Sequence, residues 1–196
     1  DQALELVPEH VEAHFHRAIA RAIAGNMPEA MDDYRQTVLL SPQPPERYQQ
    51  WLELASNKEA SDWVDKLEAA LDESRDKAKA LFAEGVEFHK NGQLPEAIAK
   101  YDQSLETYPR YGEVYYNRGL AHRRQDRPEM ALRDYTQAIR LDPEFAAAYS
   151  NRGYTYYKMG DLSRAMADFQ RVLEIDPENE DAKRSVEIIR KLFGMN

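Results

Sequence analysis

The sequence predicts an all-α solenoid of stacked antiparallel helix pairs, and two observations carry that prediction. Pro109, Pro143 and Pro177 recur every 34 residues, as do Gly85, Gly119 and Gly153, and again Ala97, Ala131 and Ala165. Self-similarity at such a period marks an array in which each unit buries its apolar face against the next. The second observation is compositional. Ala, Leu, Glu, Lys, Arg and Gln dominate, charged residues make up 31% of the chain, and runs of Val, Ile and Thr are missing, which favours helix over sheet.

The aromatic residues Tyr101, Tyr135 and Phe169 keep step with the markers, four residues after each of the periodic alanines. Residues 112–145 carry Tyr115, Gly119, Ala131, Tyr135, Ala138 and Pro143; residues 146–179 carry Tyr149, Gly153, Tyr156, Ala165, Phe169 and Pro177; residues 78–111 carry Leu81, Gly85, Phe88, Ala97, Tyr101 and Pro109. This pattern resembles the tetratricopeptide repeat. The resemblance implies a right-handed superhelical solenoid whose function is to hold a protein or peptide.

The remaining segments follow in chain order. Residues 1–10 read as the tail of a preceding repeat's second helix, with Ala3, Leu4 and Leu6 on its apolar side. Residues 11–44 form a looser copy through His14, Ala18, Ala30, Tyr34 and Pro42. Residues 45–77 read as a degenerate pair: Tyr48, Trp51, Leu52 and Ala55 stripe its first helix, and Trp63, Leu67, Ala70 and Leu71 its second. Pro44 and Pro45 open the first of these helices, and Ser56 to Glu59 resembles a capping box for the second. Proline and glycine are absent between Ser61 and Phe82, so either one helix from about Glu59 to Lys90 or two separate helices fits this stretch. Residues 180–196 predict a capping helix with Ala182, Val186, Ile189 and Leu192 along its apolar side.

Local chemistry explains the markers. Gly119 and Ala131 sit where the two helices of a unit approach closely, Tyr135 and Ala138 fill space beside them, and Pro143 stops the second helix. Asn91-Gly92 and Gly160-Asp161 supply turns between helices. Charges also alternate between the paired helices. Arg17, Glu84, Arg118 and Arg152 precede the small residue of the first helix; Asp33, Lys100, Asp134 and Asp168 precede the aromatic of the second. The signs oppose in every unit, and the unit that reverses one charge reverses the other. A salt bridge inside each repeat is therefore expected, whereas pairing with the preceding unit would set Arg118 against Lys100.

The net charge of −9 repels nucleic acid and anionic membranes, which are not expected partners. An apolar stretch of about 20 residues, as a membrane span requires, is missing, so direct membrane insertion is not expected. Cysteine is absent, which rules out disulfides, thiolate nucleophiles and thiolate metal sites but leaves the compartment open. The cytoplasm is favoured, and the periplasm fits if a signal segment was removed; the chain begins Asp1-Gln2 rather than Met, as expected of a fragment or processed form. Phosphate loops, nucleophile elbows and metalloprotease signatures are missing, so neither enzymatic activity nor a cofactor is expected. His10, His14 and His16 are the one histidine cluster, read as a solvent-exposed helix start rather than a metal site.

In the tetratricopeptide family the first helix of each unit lines the concave groove. Carried over by position, the groove consists of Lys79, Phe82, Val86 and Lys90, then Tyr116, Asn117, Leu120 and Arg124, then Asn151, Tyr154, Tyr157 and Lys158. Asn117 and Asn151 occupy one place in successive repeats, where an amide serves an extended backbone or, alternatively, the helix array itself. The aromatic and aliphatic members provide apolar contact or pack on neighbouring helices. Lys90, Arg124 and Lys158 recur every 34 residues as a basic rim for an acidic peptide, or as solubilising charge.

Some family members grip acidic chaperone tails with a clamp of Lys, Asn, Asn, Lys and Arg. Here Asn117 fits one clamp place, while Phe82, Val86, Ala147 and Asn151 stand where others belong. That mode of binding is not expected. Alternatives to a binding module are an accessory region of a larger protein, or self-association through apolar ends bearing Leu4, Leu6, Leu192 and Phe193.

Overall fold

The computed structural model of the protein describes residues 11–23, 26–40 and 58–193. Among the described residues the secondary structure is helical throughout: α1 Val11–Ile23, α2 Met27–Leu40, α3 Lys58–Lys90, α4 Leu94–Thr107, α5 Gly112–Arg124, α6 Pro128–Leu141, α7 Ala146–Lys158, α8 Leu162–Ile175 and α9 Glu180–Leu192. The expected tail at residues 1–10, the first helix of the degenerate pair and its capping box lie largely outside the described residues.

One compact unit contains α1 and α2, and a second begins at Lys79 and runs through the C-terminal helices. In the first, α1 packs on α2 and buries Phe15, Ala18, Ala30 and Tyr34. His14 is also buried, 3.5 Å from Asp33. This corrects the expectation of an exposed histidine cluster, although His16 does face solvent and His10 lies outside the described residues. Burial follows because His14 takes the large-residue place of the repeat, the one filled by Tyr115 and Tyr149 downstream.

Residues 58–90 are a single helix, which decides between the two readings of this stretch. Without proline or glycine from Ser61 to Phe82, nothing interrupts the backbone hydrogen-bond ladder.

In the second unit α5 pairs with α6, α7 with α8, and α6 and α8 each pack on the helix that follows. The periodic small residues make these approaches possible. A Cβ at Gly119 would fall 2.7 Å from the Tyr135 ring and 3.3 Å from the Ala131 carbonyl oxygen, and one at Gly85 would fall 2.6 Å from the Tyr101 ring. Tyr101, Tyr135, Ala97 and Ala131 are accordingly fully buried. The turns between paired helices use the left-handed backbone at Gly92 (φ 76°), Asp126 (φ 57°) and Gly160 (φ 82°). Asp126 holds, without being glycine, the place that Gly92 and Gly160 hold 34 residues to either side, and Asp is among the few side chains that tolerate it.

Among the described residues, side chains cap the starts of α8 and α9. Asp161 accepts from the Arg164 amide at 3.0 Å, and Asn179 accepts from the Ala182 amide at 3.0 Å. Helix α9 then buries Ala182, Val186 and Ile189. Leu192, the last residue of α9 and expected on the same apolar stripe, is instead 58% exposed.

Candidate functional site

The opposed charges of each repeat meet as ion pairs between its two helices. Arg118 Nε and Nη2 donate to the Asp134 carboxylate at 2.9 and 2.6 Å. Arg152 grips Asp168 in the same two-pronged way at 2.9 and 2.7 Å. Lys100 reaches Glu84 at 2.6 Å. Asp33 receives Arg17 Nε at 2.8 Å and Arg21 at 2.7 Å. Desolvation pushes the Asp33 carboxyl upward, but the Arg17 hydrogen bond and the charges of Arg17 and Arg21 outweigh it and hold the group below its ordinary value. Pairing also crosses between repeats: Arg118 Nη1 donates to Asp102 at 2.6 Å, and Arg152 Nη1 to the Thr136 hydroxyl at 3.1 Å. Sequence alignment of the repeats set Arg118 only against Lys100 and missed Asp102, two residues further on. These pairs tie helices together and leave the first-helix face for other uses.

On that face the two asparagines are fixed alike. Asn117 Nδ2 donates to the Glu113 carbonyl at 2.8 Å, and Asn151 Nδ2 to the Ala147 carbonyl at 2.9 Å. Asn151 spends its second N–H on the Tyr116 hydroxyl at 3.0 Å. The residue aligned with Tyr116 one repeat earlier is Phe82, which has no hydroxyl. Asn117 therefore keeps a second N–H, and among the described residues neither amide oxygen accepts a hydrogen bond.

The apolar members divide by position. The Phe82 ring lies 5.2 Å from that of Tyr111, and the Tyr116 ring 4.9 Å from that of Phe145, each pair tilted, so both rings are half-buried wedges against the linker that leads into the next first helix. Val86 packs against the cluster of Ala97, Tyr101, Leu105 and Val114, and Tyr157 against Phe169 and Ile189. Leu120 is half-buried. Tyr154 is the exposed one, at 42%. Its ring lies 5.4 Å from the Arg123 guanidinium and 5.5 Å from the Lys158 ammonium, within cation–π range.

Lys79, Lys90, Arg124 and Lys158 are exposed. Lys90 is paired with Glu87 one turn back at 2.7 Å. Among the described residues, Arg123, Arg124 and Lys158 pair with no carboxylate. Arg123 was missed by sequence reasoning because the aligned places hold His89 and Tyr157, so no periodic charge advertised it.

Residues 112–145 and 146–179 match the tetratricopeptide repeat family, as do residues 1–45, and residues 85–126 match a further TPR repeat family. The chain belongs to the tetratricopeptide-repeat family. Its fold is the all-α TPR solenoid, and it is a protein–protein interaction module. Among solved structures, the first TPR of Spaghetti (RPAP3) bound to the HSP90 peptide SRMEEVD is 29% identical, with a TM-score of 0.59 over 61% of this chain and 94% of that one. The second TPR domain of human RPAP3, in complex with the HSP70 peptide SGPTIEEVD, is also 29% identical, with a TM-score of 0.57 over 60% and 98%. The Arabidopsis OM64 TPR domain shares the fold at 24% identity and a TM-score of 0.58, over 61% of this chain and 98% of that one. No curated protein matches the chain. No helix among the described residues is long and apolar enough to cross a membrane.

Proposed function

We propose that this chain acts as a non-enzymatic scaffold that holds an extended, acidic peptide along the first-helix face, with Asn117 and Asn151 reading the peptide backbone. The carrying observation is the pair of asparagines, each pinned through Nδ2 to the carbonyl four residues back, with its amide oxygen unspent. Pinning removes rotamer freedom before binding, so less entropy is lost when a peptide N–H arrives. The repeat places the two acceptors at the same position of successive units, on one face. Arg123, Arg124 and Lys158, which pair with no carboxylate among the described residues, supply the opposite charge to an acidic ligand.

The TPR domains solved with SRMEEVD and SGPTIEEVD support peptide as the ligand class and acidic character as its sign. They do not carry over as a contact map, because Phe82, Val86 and Ala147 stand at clamp places. Phe82 and Val86 are half-buried against the core and cannot grip a carboxylate.

The test is an array of random-sequence peptides graded by net charge, read with the wild-type chain and with Asn117→Ala/Asn151→Ala. Acidic peptides are expected to bind with micromolar dissociation constants, about −8 kcal/mol, and to weaken as salt rises. The double variant should lose about tenfold or more with unchanged helicity. Unchanged affinity in that variant would remove the asparagines from the site.

A further inference from the structure

We infer that the pocket between α7 and α9 anchors one aliphatic or aromatic side chain of the acidic peptide, with a neighbouring carboxylate of the same peptide meeting Arg123 and Lys158. This rests on the peptide-binding reading above and adds the side-chain preference of the ligand. The pocket is lined by Tyr154, Tyr157, Phe169, Ser185, Ile188 and Ile189 and has a volume of about 130 Å³. An enclosed apolar cavity of about 150 Å³ accepts benzene; this one is slightly smaller but open to solvent at Tyr154 and Ile188, so it suits a single leucine-, isoleucine- or phenylalanine-sized group and nothing larger.

The lining chemistry agrees with the size. Phe169 and Ile189 are buried beneath, while Tyr154 and Ile188, both more than two-fifths exposed, stand at the opening. The one hydroxyl-bearing aliphatic residue, Ser185, donates to the Asp181 carbonyl at 2.8 Å, so it asks nothing of an apolar guest. The surroundings set the sign. Arg123 and Lys158 flank the Tyr154 ring and pair with no carboxylate among the described residues, in a chain of net charge −9. A lysine or arginine entering here meets two like charges; a carboxylate beside the anchor meets two opposite ones. Tyr154 also lies three residues after Asn151 on α7, one turn along the same face, so a backbone that touches Asn151 brings its next side chains to the opening.

Fluorescence polarisation with the labelled series Gly-Glu-Asp-Xaa-Glu-Asp-Gly tests the assignment, with Xaa as Ala, Val, Leu, Phe or Lys. Leu or Phe is expected to bind at least about tenfold tighter than Ala, as burial of three or more carbons implies, and Lys no tighter than Ala. Ser185→Leu, which fills the pocket from a helix position that accepts leucine, should bring the Leu and Ala peptides within about twofold of each other. Ile188→Ala, at an exposed site, should narrow the preference partway. Equal affinity across the series, or no binding by any member, overturns the anchor. The peptide-binding reading stands or falls separately, on whether array peptides lose affinity in the Asn117→Ala/Asn151→Ala variant. A mass that rises with concentration in sedimentation and reverts in Ser185→Leu would instead give the pocket to a second copy of the chain and overturn the proposal.

Discussion

Repeats 78–111 and 112–145 place an opposed charge pair at the same two positions, yet they build it differently. In 112–145 the arginine is on the first helix and the aspartate on the second, and the Asp134 side chain is only 6% exposed. In 78–111 the signs are exchanged, and Glu84 is 53% exposed. The short aspartate on the second helix is drawn under the arginine fork, which reaches it with two parallel hydrogen bonds and still has an Nη left for Asp102. Lysine in the aspartate's place is a long stem with a single charged end, and its partner stays in water. Complementarity of sign survives the exchange; burial does not.

Alanine at the two sites exposes that difference in the largest expected effect. Arg118→Ala leaves the buried Asp134 carboxylate without its counter-ion, takes the donor from Asp102, and removes the guanidinium stacked 5.4 Å from Tyr115. Loss of about 3 kcal/mol or more in urea denaturation is expected, as for one partner of a buried pair. Lys100→Ala should cost less than about 1 kcal/mol, as for a surface pair. Equal losses would mean that the burial of Asp134 carries no energetic weight and would break the comparison.

A smaller contrast sharpens it at the helix–helix contact. A Cβ at Gly119 meets the fully buried Tyr135 ring at 2.7 Å, whereas at Gly153 the nearest atoms are the Asp168 Cβ at 3.1 Å and the Phe169 ring at 3.3 Å. Overpacking a tight core costs about 1 to 3 kcal/mol, while alanine recovers up to about 1 kcal/mol over glycine inside a helix. Gly119→Ala is therefore expected to lower the thermal midpoint, and Gly153→Ala to be near neutral. A larger loss at Gly153 would show that Phe169 is held more rigidly than Tyr135.

The repeat framework was legible because its markers are steric requirements that a period displays: where two helices nearly touch, only a small residue fits, whatever else the unit does. Opposed signs at two aligned positions likewise revealed the pairs within each repeat. Depth was not legible. Nothing in the sequence states that Asp134 lies under Arg118 while Glu84 stands in water, since that depends on side-chain length and on the next helix. Asp126 was missed at its turn because the signal sought there was glycine. For the candidate site, the period placed Asn117, Asn151 and Tyr154 on one face and left open whether its aromatic members serve a ligand or the array; Phe82 and Tyr116 lie tilted against Tyr111 and Phe145. The pocket beside Tyr154 was invisible because it needs α9, which lies outside the repeat and shares no register with it.

The smallest expected effect concerns His122, where the 112–145 repeat departs from its neighbours. The aligned residues are Phe88 and Tyr156; here a buried imidazole lies 3.8 Å from the Asp134 carboxylate, beyond hydrogen-bond reach. Burial lowers its pKa, opposed by Asp134 and Asp102 and assisted by Arg118 and Arg127, so folding disfavours its protonation. His89 is lowered in the same direction, by burial and by Arg124. Below about pH 6.5 the unfolded chain takes up these protons before the folded chain does, so stability falls as the pH drops through that value toward the lowered one. Each histidine contributes a slope of at most about 1.4 kcal/mol per pH unit. His122→Phe substitutes the residue type that the neighbouring repeat uses and should flatten the urea midpoint between pH 6.5 and 5, leaving the part due to His89. A slope unchanged by this substitution would place the acid sensitivity elsewhere and leave His122 an aromatic filler like Phe88.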